Sequence, residues 1–191
     1  MTSMTVKRRW HISLPCLILV LTLVHVANFT IVEGDPRMIY VPEDFASIQV
    51  AIDAAAPSDM VFVHQGMYYE NIVVNKSISL IGENRNTTII DGGGLGSVIT
   101  IKGVRVKISG FTLQNSGVVW PSSGVQIVNS YLNTISDNLV LNNHIGILVN
   151  SSLANDIYQN YVIDTHYGIY ILNSRENKIS NNAIVASARG G

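Results

Sequence analysis

Apolar and polar positions recur along this chain with a fixed period. Cut at Gly124, Gly146 and Gly168, its C-terminal part divides into three 22-residue segments whose columns agree. Aliphatic residues fill four of the columns and asparagine fills two others. The asparagine columns are Asn133, Asn155 and Asn177, and Asn138, Asn160 and Asn182. A period of this length indicates a repeat architecture, in which each unit buries its apolar face against its neighbours.

Within each segment the apolar positions alternate with polar ones, as in Val125 and Ile127. Spacing of two with β-branched residues is typical of strands, and the asparagine, serine and glycine between them are turn formers. The pattern therefore predicts an all-β, single-stranded parallel β-helix with one coil per segment. Because equivalent residues of successive coils would stack about 4.8 Å apart, each asparagine column should form a hydrogen-bonded ladder.

The N-terminal part of the repeat region predicts one helix among strands. Met38–Val41 alternates as a strand, whereas Ile48, Ala51, Ile52 and Ala55 share one helical face. Asp44 or Ser47 could cap a helix over residues 45–55, and a single helix before a β-solenoid would cover its open end. Further strands are predicted at 61–63, 72–74, 78–81, 88–90, 98–101, 104–108 and 111–113, with turns at Gly66 and Gly82.

The early coils are longer than those after Gly124. The spacing from Leu80 to Ile108, and from Ile108 to Ile135, exceeds the period of the three C-terminal segments. The excess falls on residues 117–123, which we interpret as a loop that leaves the coil and carries Trp120.

Residues 1–27 carry a basic stretch, Lys7 to Arg9, and then an apolar run from Ile12 to Ala27. This pattern predicts a signal peptide. Because His25 would stand at the −3 position of cleavage after Ala27, an uncleaved N-terminal anchor is the alternative. Residues 28–37 are predicted to be a linker and 38–191 the β-helix domain. The chain ends at Gly190 and Gly191, where a fourth segment would start, so we expect a β-helix truncated at its C-terminal end.

Composition narrows the function. Of the 191 residues only 13% are charged and 47% are apolar. Without residues 1–27 the chain carries 9 basic and 13 acidic groups, which argues against a nucleic-acid partner. The single cysteine, Cys16, lies in the leader, so the remaining chain offers no disulfide and no thiolate ligand.

Residues 47–92 resemble the opening coil of right-handed parallel β-helix proteins, among them pectin esterases and the NosD-like periplasmic family. The later pattern, glycine and isoleucine followed by NSxxNxIxxN, resembles the NosD-like and carbohydrate-binding or sugar-hydrolase repeat families within the pectin-lyase-like superfamily. The resemblance implies a right-handed coil. It says little about chemistry, because the matching residues are those that build coils.

The catalytic residues of the resembling enzymes do not carry over. Pectin esterases use two aspartates with an arginine and glutamines, and only Asp164 with Thr165 resembles one such aspartate. Pectate lyases need a calcium-binding acidic cluster and an arginine base, yet no arginine occurs between Lys107 and Arg175. We therefore assign no catalytic residue.

His144 and His166 occupy the same column of successive segments, and Asp164 lies shortly before His166. Two imidazoles and a carboxylate suit copper, zinc or iron, and the resemblance to NosD-like proteins, which are associated with copper, favours copper. The alternative is two exposed histidines that follow a turn, since the third coil has Ala188 in this column.

Trp120, Tyr167 and Tyr170 are the candidate carbohydrate-binding residues, because aromatic faces pack on sugar rings while neighbouring asparagine and aspartate bind hydroxyls. Other tyrosines that could line a groove are Tyr131, Tyr158 and Tyr161. The alternative is ordinary half-buried strand tyrosines.

The sequence thus predicts a secreted, periplasmic or cell-surface protein that engages polysaccharide or a cell-surface glycan. Contact with a membrane is expected only through an uncleaved anchor, and the oligomeric state is left open. Two other functions fit the same residues: a NosD-like copper-associated maturation protein, and a structural surface scaffold or adhesin without a small ligand.

Overall fold

The computed structural model describes residues 35–185. The predicted leader and Cys16, most of the predicted linker and the last residues of the chain, Ala188 included, lie outside the described residues. Among residues 35–185, no helix is long and apolar enough to span a membrane.

The described chain is an all-β parallel solenoid of about 7 turns with a single short helix. Its strands form three parallel sheets, to each of which a complete turn contributes one strand. Sheet A runs in the order β1 (Met38–Val41), β2 (Met60–Val63), β5 (Ser79–Gly82), β8 (Lys107–Ser109), β11 (Thr134–Ser136), β14 (Asp156–Tyr158) and β17 (Lys178–Ser180). Sheet B runs in the order β3 (Gly66–Tyr69), β6 (Thr88–Asp91), β9 (Thr112–Gln114), β12 (Leu139–Leu141), β15 (Tyr161–Ile163) and β18 (Ala183–Val185). Sheet C runs in the order β4 (Ile72–Val74), β7 (Ile99–Ile101), β10 (Ser123–Val128), β13 (Ile145–Asn150) and β16 (Tyr167–Leu172).

Strand register follows the repeat period of the sequence. Val125 pairs with Ile147, which pairs with Ile169. The longer early coils are also in register, since Leu80 pairs with Ile108 and Ile108 with Ile135. The predicted parallel β-helix and its 22-residue coils are therefore confirmed.

The core lies inside the solenoid, where the inward aliphatics of all three sheets stack on their equivalents. Val61, Leu80, Ile108, Ile135 and Ile157 form one such column, and each has no exposed surface. Branched aliphatics stack well here because parallel strands hold identical side chains in register.

Both asparagine ladders are present at the corners. Asn133 donates from Nδ2 to Oδ1 of Asn155 at 2.8 Å, and Asn155 donates in the same way to Asn177. Asn138 and Asn160 repeat this arrangement towards Asn182. The carboxamide oxygens also accept backbone N–H groups, as Asn155 does from Asn133, and so pair turn backbone that burial would otherwise leave unpaired.

The helix, α1 (Ile48–Ala54), buries Ile48, Ala51 and Ile52 against the N-terminal coil, as predicted. Ser47 is the N-cap residue, but its side chain makes no capping hydrogen bond. The carboxylate of Glu70 instead accepts the backbone N–H groups of Ile48 and Gln49, each at 2.9 Å. Asp44, the alternative cap, accepts the N–H of Tyr40 and so belongs to the preceding turn.

Two predicted turns are wrong. Gly66 begins β3, a strand that the sequence reading missed, and Gly82 ends β5. The sequence of β3 shows no alternation of apolar and polar residues, because most of its side chains are exposed and only Tyr68 packs against the core. Pairing with β6 decides its conformation.

Candidate functional site

The loop between β9 and β10 creates a small second core outside the solenoid. Register places Leu148 on the outer face of sheet C, between Gln126 and Tyr170, yet Leu148 has no exposed surface. Ile145 is equally buried, and neither residue belongs to the interior core cluster. The loop carrying Trp120 lies over this face, since Trp120 contacts Tyr170 and the carbonyl of Ser122 accepts the N–H of Ile145. The predicted outward loop is confirmed, and it packs against the outer face of the coils.

Five aromatic side chains form a continuous surface over this second core, which we name the aromatic ribbon: Trp120, Tyr170, Tyr167, His166 and His144. Ring centroids lie 5.4 Å apart between Trp120 and Tyr170, 5.7 Å between Tyr170 and Tyr167, and 4.5 Å between Tyr167 and His166. These contacts are edge-to-face, so each ring supports its neighbour and leaves a face open. Trp120 is 49% exposed, Tyr167 43% and Tyr170 37%.

A polar cleft of about 550 Å³ opens beside the histidine end of the ribbon. It is lined by Gly93, Gly94, Asn115, Ser116, Val118, Asn142, Asn143, His144 and His166. Gly93 and Gly94 thus form one wall of the cleft. The candidate residues for sugar and for metal, predicted separately, belong to one surface.

Hydrogen bonds fix the orientation of the amides in the cleft. Asp91 accepts from Nδ2 of Asn115 at 2.6 Å, and Asn115 Oδ1 accepts from Nδ2 of Asn142 at 2.7 Å. Because an ionised carboxylate can only accept, Asn115 must turn its nitrogen to Asp91 and its oxygen to Asn142. The Oδ1 of Asn142 then accepts no hydrogen bond from the described residues.

Asp91 is suited to remain ionised in this role. Burial raises the pKa of Asp91, but hydrogen bonds from Gln114, from the Gly93 N–H and from Asn115 outweigh burial, so the net pKa is lowered. The orientation of Asn115 and Asn142 is therefore maintained at neutral pH.

The two candidate metal ligands of adjacent coils are stacked. The imidazoles of His144 and His166 are 5.4 Å apart between centroids and tilted by 7°. Asp164 is exposed and lies at the turn position that Asn142 occupies one coil earlier. Within residues 35–185 no group of three or more histidine, cysteine, aspartate or glutamate side chains is arranged to hold a metal ion. The predicted metal site thus rests on the histidine pair, and it stays a prediction.

The remaining tyrosines do not join the ribbon. Tyr161 lies at the corner between sheets A and B, where the Arg85 guanidinium covers its ring at 4.5 Å and also pairs with Asp137 at 2.7 Å. Tyr131 is exposed at a different corner.

Sequence reasoning missed one polar cluster near the N-terminal end. His64 lies between Glu43 and Glu83, at 3.5 and 3.2 Å, and stacks on Tyr40. The alternation of β1 and β2 gave no sign of it, because only the pairing of these two strands places Tyr40 beside His64.

The three stacked parallel sheets define a class: parallel β-helix proteins. Within that class, a family model described as periplasmic copper-binding protein (NosD) matches residues 52–191. The chain therefore belongs to the NosD family.

One curated relative matches a part of the chain. A cell surface glycoprotein of Methanothermus fervidus is 35% identical over 101 residues, which is 51% of this chain. The chain spans only 16% of that relative's length.

Two solved structures share the fold. The alginate lyase from Paenibacillus sp. str. FPU-7 superposes with a TM-score of 0.63 at 16% identity, over 78% of this chain and 58% of the lyase. ORF18 of Geobacillus virus E2 gives a TM-score of 0.57 at 16% identity, over 92% of this chain and 45% of that protein. At such identities the likeness concerns the fold alone.

Proposed function

We propose that this protein binds polysaccharide along the aromatic ribbon, outside the cytoplasm or at the cell surface. The observation that carries the proposal is the contiguity of the three predicted sugar-binding residues. Trp120 comes from a loop and Tyr167 and Tyr170 from a later coil, yet they form one exposed surface that ends at a hydrogen-bonding cleft.

The physical basis is the pairing of flat apolar faces with fixed polar groups. Pyranose rings present apolar C–H faces that pack on aromatic rings, and their hydroxyls need partners at the ring edge. The ribbon offers the aromatic faces, and the cleft offers the hydrogen-bond partners. Because Leu148 and Ile145 are fully buried beneath it, the ribbon is held in place before any ligand arrives, which lowers the entropy lost on binding.

The family and the relative support the location. The family description names a periplasmic protein and the relative's name a cell-surface protein. Both agree with the leader predicted for residues 1–27.

Affinity electrophoresis through gels containing single polysaccharides tests the proposal. We expect one or more polymers to retard the protein, and Trp120→Ala or Tyr170→Ala to weaken binding roughly tenfold or more, as for an aromatic residue at the centre of a binding surface. Tyr131→Ala is the matched control, because Tyr131 is 42% exposed but lies outside the ribbon. If Tyr170→Ala and Tyr131→Ala are retarded by the polysaccharide to the same extent, the ribbon is not the binding surface.

A second candidate function is copper binding by His144 and His166. The stacked imidazoles and the family description favour it. Copper accepts imidazole nitrogen, and two parallel rings on adjacent coils need only small rotations to aim one nitrogen each at the same ion.

Copper titration followed by equilibrium dialysis separates this candidate from the first. His166→Ala should lower the copper affinity by roughly tenfold or more, whereas His64→Ala should not, because His64 lies in the separate glutamate cluster. Unchanged affinity in His166→Ala removes the copper site. A folded protein that binds neither polysaccharide nor copper would favour the scaffold or adhesin function.

A further inference from the structure

The surface proposed to bind polysaccharide carries no fixed positive charge. The sequence contains no lysine or arginine between Lys107 and Arg175, a stretch that includes the whole ribbon and most of the cleft. The residues from earlier coils that line the cleft are Gly93 and Gly94. Arg85, the basic residue that reaches across from an earlier coil, is bound to Asp137 at another corner.

The rim of the cleft presents hydrogen-bond acceptors. The chain of hydrogen bonds from Asp91 through Asn115 leaves Oδ1 of Asn142 as its free end; no donor within the described residues occupies it. Asp164 holds the same turn position one coil later and is exposed. Neighbouring strands lie about 4.8 Å apart, so this amide oxygen and this carboxylate come from equivalent positions of adjacent coils.

Acceptors of this kind select hydroxyl donors. A sugar hydroxyl can donate to Asn142 and to Asp164, whereas a uronate carboxylate or a sulfate has only acceptors to offer and meets the charge of Asp164. Recognition of carboxylates and sulfates normally relies on arginine or lysine, and this surface has neither.

We propose that the ribbon and cleft select neutral, hydroxyl-rich polysaccharides over polymers of uronic acid or sulfated sugars. This inference rests on the proposed polysaccharide-binding function and names its ligand class.

The test compares charged and uncharged forms of one polymer. A panel of neutral glucan, galactan, mannan and xylan, with alginate and de-esterified galacturonan, first identifies a polymer that retards the full chain. If that polymer is neutral, its primary hydroxyls are oxidised to carboxylates, or carboxymethyl groups are added where it has none. If it is acidic, its carboxylates are reduced to alcohols. We expect the uncharged form to bind roughly tenfold more tightly.

Asp164→Asn tests the mechanism on the protein side. Asn115 and Asn142 occupy the equivalent positions of the two preceding coils with the same positive φ, 59° and 52° against 53° at Asp164, so asparagine fits this backbone. Loss of one unit charge should lower the ratio of the affinities for the uncharged and the carboxylated polymer by roughly threefold. Glu176→Gln is the control, because it removes the same charge from an exposed position at the opposite end of β16.

The outcomes distinguish failure of the proposed function from failure of the neutral-ligand inference. No retardation by any polymer removes the proposed function itself. Retardation with equal or tighter binding of the carboxylated form leaves that function standing and overturns the neutral-ligand inference. If the affinity ratio of the two polymer forms is unchanged in Asp164→Asn, the charge of Asp164 is not the source of the selectivity.

Discussion

At the residue scale, buried asparagines link neighbouring coils of this fold. Asn160 has no exposed surface. It donates to the carbonyls of Ile135 and Tyr158 and to Asn182, and it accepts from the backbone and side chain of Asn138. One carboxamide thus joins three coils. Since a side chain of different length would leave several of these groups unpaired, the ladder also fixes the register of the coils.

Replacing Asn160 by leucine should lower the free energy of unfolding by about 1–3 kcal/mol, because buried polar partners on both neighbouring coils lose their hydrogen bonds. Urea unfolding followed by circular dichroism measures this. Asn86→Leu, at an exposed turn, should change the free energy by less than about 0.5 kcal/mol. Equal losses in the two variants would show that the ladder contributes no more than a surface asparagine.

At the element scale, one corner depends on the close approach of two coils. Gly82 at the end of β5 and Gly110 between β8 and β9 lie so near each other that a Cβ atom on either would collide with the carbonyl oxygen of the other. Gly110 also has a φ of +84°. The loop after Gly82 passes over this narrow corner, and Arg85 reaches Asp137 on the coil beyond. The corner is thereby tied across three coils.

Gly110→Ala should reduce the free energy of unfolding by about 2–4 kcal/mol, as left-handed backbone strain and the collision with Gly82 add together. Gly94→Ala is the matched control, since Gly94 has a φ of +76° but nothing within 4 Å of an added Cβ. It should cost only about 1–2 kcal/mol. If thermal and urea unfolding give the same loss for both, the close approach is not a determinant of stability.

At the scale of the whole molecule, the solenoid assembles a surface from residues far apart in sequence. Its coils set His144 beside His166 and Leu148 beside Tyr170. The loop that follows β9 then adds Trp120 to the residues of later coils. A polysaccharide is a repeating ligand, so a repeating scaffold can meet it with one site spread over several coils.

The sequence by itself determined the parts of this protein that depend on local period. Alternation, the repeat spacing and the asparagine columns predicted the parallel β-helix, its register and its ladders, because a stacked coil repeats every requirement at the same position. The helix α1 was equally predictable from its apolar face. The strand β3 was not, since its exposed residues lack alternation and only pairing with β6 makes it extended.

Only the tertiary structure decided how the candidate residues combine. Three aromatic residues and two histidines were predictable as separate candidates, but their union in one ribbon depends on where the loop carrying Trp120 packs. The outward burial of Leu148 and Ile145, the direction of the amides from Asp91 to Asn142, and Glu70 as the cap of α1 were equally invisible. Each depends on a contact between different coils, and the period of a sequence carries no information about how a loop packs or which way an amide points.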